Sequence, residues 1–403
     1  MMYKKNHIFT PSVIALILLS FILGTSEFIV IGILPDISRD LSVSLSVAGT
    51  IVSIFALTYA VGTPIVTACT SNINRYKLLL LMNIIFILGN FISAVTPSYS
   101  LLVISRILTA VVSGTIISLS MTFSSDVAIP ENRGKVVAWI FSGFSIASIV
   151  GVPAGTFMSH LLGWHSVFFA ICLVSGFVTF FLARSLPKQC VSQKSNMMQQ
   201  LLLIKDRRIQ LGFLIPMFGA AATYVFYTYL TPIFETKLNI DQKYIGILLL
   251  VFGICSIVSN LISGKIAASN GMKKLHLVFI LQTILLVLLP ISFLFVPAGL
   301  SDIFALGVVM YLMNSPVQIY FLDTATFYYP VSVNLASSIS PVAFNFGISL
   351  GSLTGSFVVA HVGFTYLGVF GAFFSFAAFL IIYYLKKRTK NFSSIYYKKE
   401  SIC

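Results

Sequence analysis

The sequence predicts an all-α membrane protein: twelve transmembrane helices in two six-helix bundles, with both termini cytoplasmic. Three observations predict it. The chain is 58% hydrophobic and 9% charged, with 36 Phe among 403 residues, a composition that excludes an ordinary soluble domain. Its apolar residues fall in runs of about 20, the length that takes a helix across the hydrocarbon core of a bilayer. Its positive charge, finally, lies almost wholly on one side of those runs.

The first run, 10–34, is too long for a signal-peptide core and no small-residue cleavage site comes after it, so it is kept as a span. Short polar breaks then separate 46–68, 77–95, 99–122, 136–160 and 165–185. Next comes the longest interruption, "LPKQCVSQKSNMMQQLLLIKDRR" at 186–208, strongly basic with Asp206 its only acid. Beyond it come 209–233, 243–267, 275–296, 303–325, 335–359 and 364–385. The expected domains are an N-terminal bundle over 1–185, a basic linker over 186–208, a C-terminal bundle over 209–385 and a basic cytoplasmic tail over 386–403.

The formal charge of +14 has the look of a nucleic-acid binder, but its placement argues otherwise. With the N-terminus inside, only Arg39, Lys237 and Lys243 of the 25 Lys and Arg fall in outer segments, and Arg106 alone lies inside a span. That asymmetry fixes orientation and makes anionic lipid, not nucleic acid, the partner of the basic surface. Six spans, a cytoplasmic linker and six more spans are the layout of a duplicated secondary transporter. The five cysteines form no CxxC pair and the five histidines no ligand spacing, so free thiols and no metal are expected. Nothing fits GxxxxGK[ST], and no cofactor is expected.

The first run contains "GTSEFIVIGILPDIS", residues 24–38, with a carboxylate in mid-helix. Glu27 lies ~10 Å from the outer end of span one, and Arg106 ~10 Å from the outer end of the antiparallel span four, at 1.5 Å per residue. A full charge near mid-membrane costs at least ~2.5–3.5 kcal/mol, so each should face the bundle interior and seek a partner. The expectation is that they meet in or beside a central cavity. A carboxylate between apolar walls and a cation is suited to taking and releasing a proton; a permanent structural ion pair is the alternative.

Further polar stripes suggest a lining. Arg106 shares a face with Thr109, Ser113 and Ser120. In span eleven, Ser338, Asn345, Ser349, Ser352 and Ser356 fall within about 40° of one direction at 100° per residue, with Gly347, Gly351 and Gly355 roughly opposite as a packing seam. Serines bonded to their own i−4 carbonyls are the alternative. Tyr224, Tyr227 and Thr228 share a face of span seven, and Asn314 and Gln318 a face of span ten. Aromatic and amide groups together suit a neutral, partly polar organic ligand. Asp36, Asp40, Glu235, Asp241 and Asp302 read as solvated outer-loop acids.

Span five reads "GFSIASIVGVPAGTFMSHLLGW". Gly151 and Gly155 form a GxxxG pair, with Pro153 between them and Gly143 earlier in the span, describing a kinked helix at a close interface. This stretch resembles the exporter-specific motif of the drug:proton antiporter families of the major facilitator superfamily. "LLVISRILTAVVSG" is similar to that superfamily's fourth-helix motif, with Arg106 and Gly114 in register. "VNLASSISPVAFNFGISLGSLTG", "YTYLTPIFE" and the Glu27 stretch resemble the branch of arabinose-efflux-permease-like, sugar efflux and purine efflux transporters. The resemblance spans about 10–385 and departs at "ACTSNINRYKL", where Ser71 and Asn72 replace the Asp and Arg of the usual loop between spans two and three.

The resemblance implies a proton-coupled exporter of a small organic solute (sugar, nucleobase, nucleoside or drug), with Glu27 and Arg106 in proton coupling. It implies a monomer in the inner, cytoplasmic membrane and no enzyme activity. A facilitator or uptake permease of the same fold stands as the alternative. A transporter-shaped sensor or a membrane enzyme stands further off, since one acid and one Arg at a single depth do not make a catalytic constellation.

Overall fold

The computed structural model describes residues 9–70, 73–128, 133–188, 203, 205–267, 271–329 and 332–388. Ser71 and Asn72, most of the 186–208 linker and nearly all of the tail lie outside them. Among the described residues, twelve helices are long and apolar enough to cross a membrane. They are α1 (Pro11–Asp40), α2 (Leu45–Cys69), α3 (Arg75–Val95), α4 (Tyr99–Val127), the two-part α5, and α6 (Trp164–Ser185), then the two-part α7, α8 (Gln242–Ala267), α9 (Gly271–Ser292), the two-part α10, α11 (Val333–His361) and α12 (Leu367–Arg388).

Three spans are broken. Span five runs as α5a (Arg133–Ile146), a π turn (Ala147–Gly151) and α5b (Val152–Leu162). Pro153 has no N–H for the carbonyl four residues back, and the widened turn absorbs the mismatch. Span seven breaks at Thr228 and Tyr229, between α7a (Arg207–Tyr227) and α7b (Leu230–Thr236). Span ten breaks between α10a (Val296–Val309) and α10b (Asn314–Tyr328). Backbone groups freed inside a bilayer must find partners. Here the Tyr311 and Ser315 N–H groups donate to the Ser259 and Ser263 hydroxyls of α8, each at 2.9 Å.

Span ten also corrects the sequence reading. The helix starts at Val296, not near 303, with Pro297 in its first turn, where proline's fixed φ and missing N–H favour initiation. Asp302, expected in a solvated loop, therefore sits inside α10a and is 9% exposed.

The chain forms two compact units. The first comprises the chain up to Ser195 with Val225–Ile254 and Ile348–Phe364, so it already holds parts of α7, α8 and α11. Within it α1 lies along α5. A Cβ at Gly143 would come 2.7 Å from the Ile17 carbonyl oxygen and 2.8 Å from the Phe21 nitrogen, which is backbone-to-backbone proximity. Cβ atoms at Gly151 and Gly155 would overlap Thr25 and Ile29.

The second unit, Asn196–Tyr224, Cys255–Gly347 and from Thr365 onward, has a core of Ile215, Leu275, Phe279, Val317, Phe321 and Ile382. Inside that core Gln282 of α9 donates to Thr223 of α7a at 3.0 Å and accepts from Ser375 of α12 at 3.1 Å. At the unit's linker-proximal end, Arg208 pairs with Asp206 at 2.7 Å and lies over the Tyr328 ring at 3.8 Å. The Tyr329 hydroxyl donates to Asp206 at 3.2 Å.

Burial alone would raise the Asp206 carboxyl, but hydrogen bonds from the Arg208 side chain and N–H, its charge and Tyr329 hold it below the usual carboxylate range. A depressed native value stabilises the fold above the unfolded value of about 4 and is lost as pH falls through the lower native one. The thermal midpoint of the wild type should thus fall between about pH 5 and 3 more steeply than that of Asp206→Asn. Parallel curves would show that this pair contributes nothing.

Candidate functional site

The buried charges of α1 and α4 centre on Arg106, which is fully buried. Its guanidinium donates to the Ser26 carbonyl at 2.6 Å and to the Ser26 hydroxyl at 3.1 Å. Ser26 donates its own proton to Asn90 of α3 at 2.8 Å, and Asn90 donates onward to the Phe86 carbonyl at 2.9 Å. The cation also lies 4.7 Å from the centroid of Phe55 on α2 and 5.5 Å from that of Phe168 on α6, both within cation–π range. The charge is thus held from α1, α2 and α6, with α3 reached through Ser26.

Glu27 is partly buried beside this arrangement. Its charge acts on both Arg106 and Tyr59, but no carboxylate oxygen comes within 4 Å of the guanidinium. The depth argument brought the two charges together; the hydrogen bonds of the Arg go to Ser26. Chemically this matters, because the carboxylate can gain or lose a proton without breaking a bond that positions the Arg. Ser26, Asn90, Phe55 and Phe168 are the residues sequence reasoning missed. Ser26, next to Glu27, and Asn90, an amide deep in span three, were the available signals.

The rest of the α4 stripe turns inward on the protein. Thr109 donates to the Arg106 carbonyl at 2.9 Å and packs on Gly89 of α3, while Ser113 donates to the Thr109 carbonyl at 2.7 Å. Both are buried.

The other candidates are distributed over α7, α10 and α11. In the first unit, Tyr227 stacks on Phe252 at 5.1 Å and Thr228 shares a hydrogen bond with Ser352 at 2.9 Å. Ser349 is buried one turn away. Ser356 reaches α2, donating to the Ser46 carbonyl at 2.7 Å. In the second unit, Tyr224 meets Phe344 edge-on at 6.1 Å and Asn314 donates to Asn260 of α8 at 3.3 Å. Gln318 is half-buried. Asn345 donates to the Pro341 carbonyl at 3.2 Å and leaves its buried amide oxygen without a partner. The glycine seam of α11 lies on α7: Gly347 against Met217 and Ala220, Gly355 against Val225, with Gly351 buried between.

Span five carries a close approach within the first unit. A Cβ at Gly253 of α8 would lie 2.8 Å from the Ile149 Cα in the π turn. Further along, Gln242 of α8 faces Nδ1 of His160 on α5b at 2.7 Å, and Ser159 donates to Asp36 of α1 at 2.5 Å. Asp36 in turn pairs with Arg39 at 2.9 Å. These contacts close the end that bears the α1–α2 turn. Gln242→Ala should slow disulfide crosslinking of a Ser46→Cys/Ser356→Cys pair about fivefold, the factor for one ~1 kcal/mol hydrogen bond. An unchanged rate would show that the His160 contact does not hold this end closed.

Comparison with known proteins gives the relatives of this arrangement. The family model described as Major Facilitator Superfamily matches residues 16–330. The chain is 33% identical over 364 residues to the "Uncharacterized MFS-type transporter YtbD" of Bacillus subtilis (strain 168), covering 90% of this chain and 92% of that relative. It is 29% identical to the "Inner membrane transport protein YdhP" of Escherichia coli (strain K12), over 92% of this chain and 94% of the relative. Among solved structures, a D-xylose-proton symporter superposes with a TM-score of 0.74 at 16% identity over 91% of this chain and 96% of its own. A bacterial homologue of the human lysosomal transporter Spinster gives 0.68 at 13%, covering 92% and 94%.

Proposed function

This chain belongs to the Major Facilitator Superfamily and is a multi-pass membrane transporter, and from that premise we propose that it exports a small organic solute in exchange for protons. The observation that carries the proposal is the buried Arg106, fixed by Ser26 and sensing the charge of a neighbouring Glu27 to which it is not bonded. Protonating Glu27 removes the nearby countercharge of a cation that stays in place. The electrostatic balance of the N-terminal half changes, and the equilibrium between two cavity-open states shifts with it.

Export, in place of uptake, is supported by span five. Its Gly/Pro motif resembles that of exporters, and it contains the π turn that α8 approaches through Gly253. Tyr224, Tyr227, Thr228, Asn314, Gln318, Asn345 and Ser349 are the proposed substrate contacts; Thr109 and Ser113, expected in the lining, are instead packed within the protein beside Arg106. Gly143, Gly151, Pro153, Gly155 and the α11 glycines serve packing and movement. The distribution of Lys and Arg supports cytoplasmic termini in an inner membrane, so the end closed by Asp36, His160 and Gln242 is the outer one. The proposed halves, 1–185 and 209–385, exchange inner and outer openings across the basic linker.

The substrate class is a sugar, nucleobase, nucleoside or uncharged drug, because the amide and aromatic groups offer hydrogen bonds and stacking but no second acid. The test is counterflow in proteoliposomes with and without an imposed pH gradient. Export predicts solute movement against its gradient toward the side that the α1–α2 turn faces when that side is acidic; movement independent of the pH gradient would make this a facilitator.

A further inference from the structure

A second acid lies apart from the transport machinery. Both carboxylate oxygens of Asp302 in α10a are buried and make no hydrogen bond of good geometry, although the Ser292 hydroxyl stands near enough to interact with them. Its neighbour Ser292 donates its hydroxyl proton to the Leu289 carbonyl at 2.8 Å. No Lys, Arg or His among the described residues comes within 4 Å. A carboxylate so placed costs several kcal/mol unless a proton or a cation satisfies it.

Asp302 lines a groove of about 480 Å³ between α9 and α10a with Leu285, Leu288, Ile291, Ser292, Ser301 and Ala305, its oxygens lying just beneath the groove surface. Leu288 and Ile291 are 45% and 64% exposed, and Leu294 and Phe295 at the hairpin are 86% and 67% exposed. Such a surface on a membrane protein faces acyl chains. Asp302 is ~9 Å from the start of α10a at 1.5 Å per residue, a depth that a lipid headgroup can reach from the interface. The groove has room for a headgroup and part of one chain.

We propose that this groove is a binding site for an aminophospholipid, whose primary ammonium donates to Asp302 while an acyl chain lies along Leu285, Leu288 and Ile291. The chemistry selects the headgroup. A primary ammonium brings charge and donors together, and charge-assisted bonds of this kind are the strong ones. A choline headgroup has the charge but no N–H. A phosphatidylglycerol headgroup has no cation and is repelled. The site is independent of the coupling role given to Glu27 and needs only that the protein spans a bilayer.

The experiment is native mass spectrometry of the purified full chain, titrated with dioleoyl phosphatidylethanolamine, phosphatidylcholine or phosphatidylglycerol. The wild type should retain phosphatidylethanolamine about tenfold better than phosphatidylcholine, the factor from one charge-assisted hydrogen bond. Asp302→Asn should abolish that preference. Because Asn fills the same space and Asp302 makes no ion pair among the described residues, the variant should elute as the wild type does on size exclusion. Leu288→Trp, which fills the groove and keeps the carboxylate, should also lose the preference. Equal retention of the two lipids by the wild type, or a preference that survives both substitutions, would overturn the proposal.

Discussion

Replacing Glu27 by Gln lowers pH-driven transport about 5- to 150-fold, the range spanned by a coupling free energy of ~1–3 kcal/mol, and leaves the protein folded. Gln keeps the shape and loses the titration. Folding survives because the bonds of Arg106 go to the Ser26 carbonyl and hydroxyl and its cation lies over Phe55 and Phe168, while its buried Nε has no partner with or without the Glu27 charge. The contrast is Arg106→Lys. A lysine lacks the planar fork that bonds Ser26 at two atoms and reaches the carbonyl at best singly. It should lower the thermal midpoint as well as transport, whereas Glu27→Gln lowers transport alone. If the two variants lose stability equally, Glu27 is part of a structural pair and the coupling role is wrong.

Replacing Gly253 by Val moves the conformational equilibrium, whereas replacing Gly143 by Val damages the fold. Both glycines sit where a side chain would strike backbone, but the partners differ. At Gly143 the obstruction is the Ile17 carbonyl and Phe21 nitrogen of α1, packed alongside within the N-terminal half. At Gly253 it is the Ile149 Cα and the Ser148 carbonyl of the π turn, met by a helix from the C-terminal half of the chain. Overpacking of this kind costs ~1–3 kcal/mol. For Gly253→Val the cost falls on the closed arrangement, and crosslinking of Ser46→Cys to Ser356→Cys should slow by about 5- to 150-fold for that energy. For Gly143→Val the yield and thermal midpoint fall and the crosslinking rate of the surviving protein is unchanged. The reverse assignment would mean that α5 and α8 do not move apart.

Much of the fold was legible in the residues, for definite reasons. Length and hydropathy bound a membrane helix tightly, so the twelve spans could be read from their apolar runs. Depth comes from rise per residue, so Glu27 and Arg106 could be placed at one level from opposite helix directions. Depth does not specify which atoms meet, and Ser26 took the hydrogen bonds expected of the carboxylate. The α4 and α11 stripes have a similar limit. Periodicity puts Thr109, Ser113, Ser352 and Ser356 on faces, but does not say what each face touches: α3 Gly89, their own helix, α7 and α2 respectively. The break read between 296 and 303 misled in the other direction: Pro297 lies in the first turn of α10a, where proline favours initiation, and the helix so begun includes Asp302.

The most direct test places the purified protein in liposomes with an entrapped pH-sensitive dye and adds purine nucleosides, sugars and cationic drugs in turn. At least one uncharged solute should drive proton movement in the opposite direction to its own flux, and Glu27→Gln should lower that signal by about the same 5- to 150-fold, the range of a ~1–3 kcal/mol coupling, while solute binding to the purified protein persists. Equal proton movement in the wild type and Glu27→Gln, or no proton movement with any solute of the panel, would contradict proton exchange through Glu27.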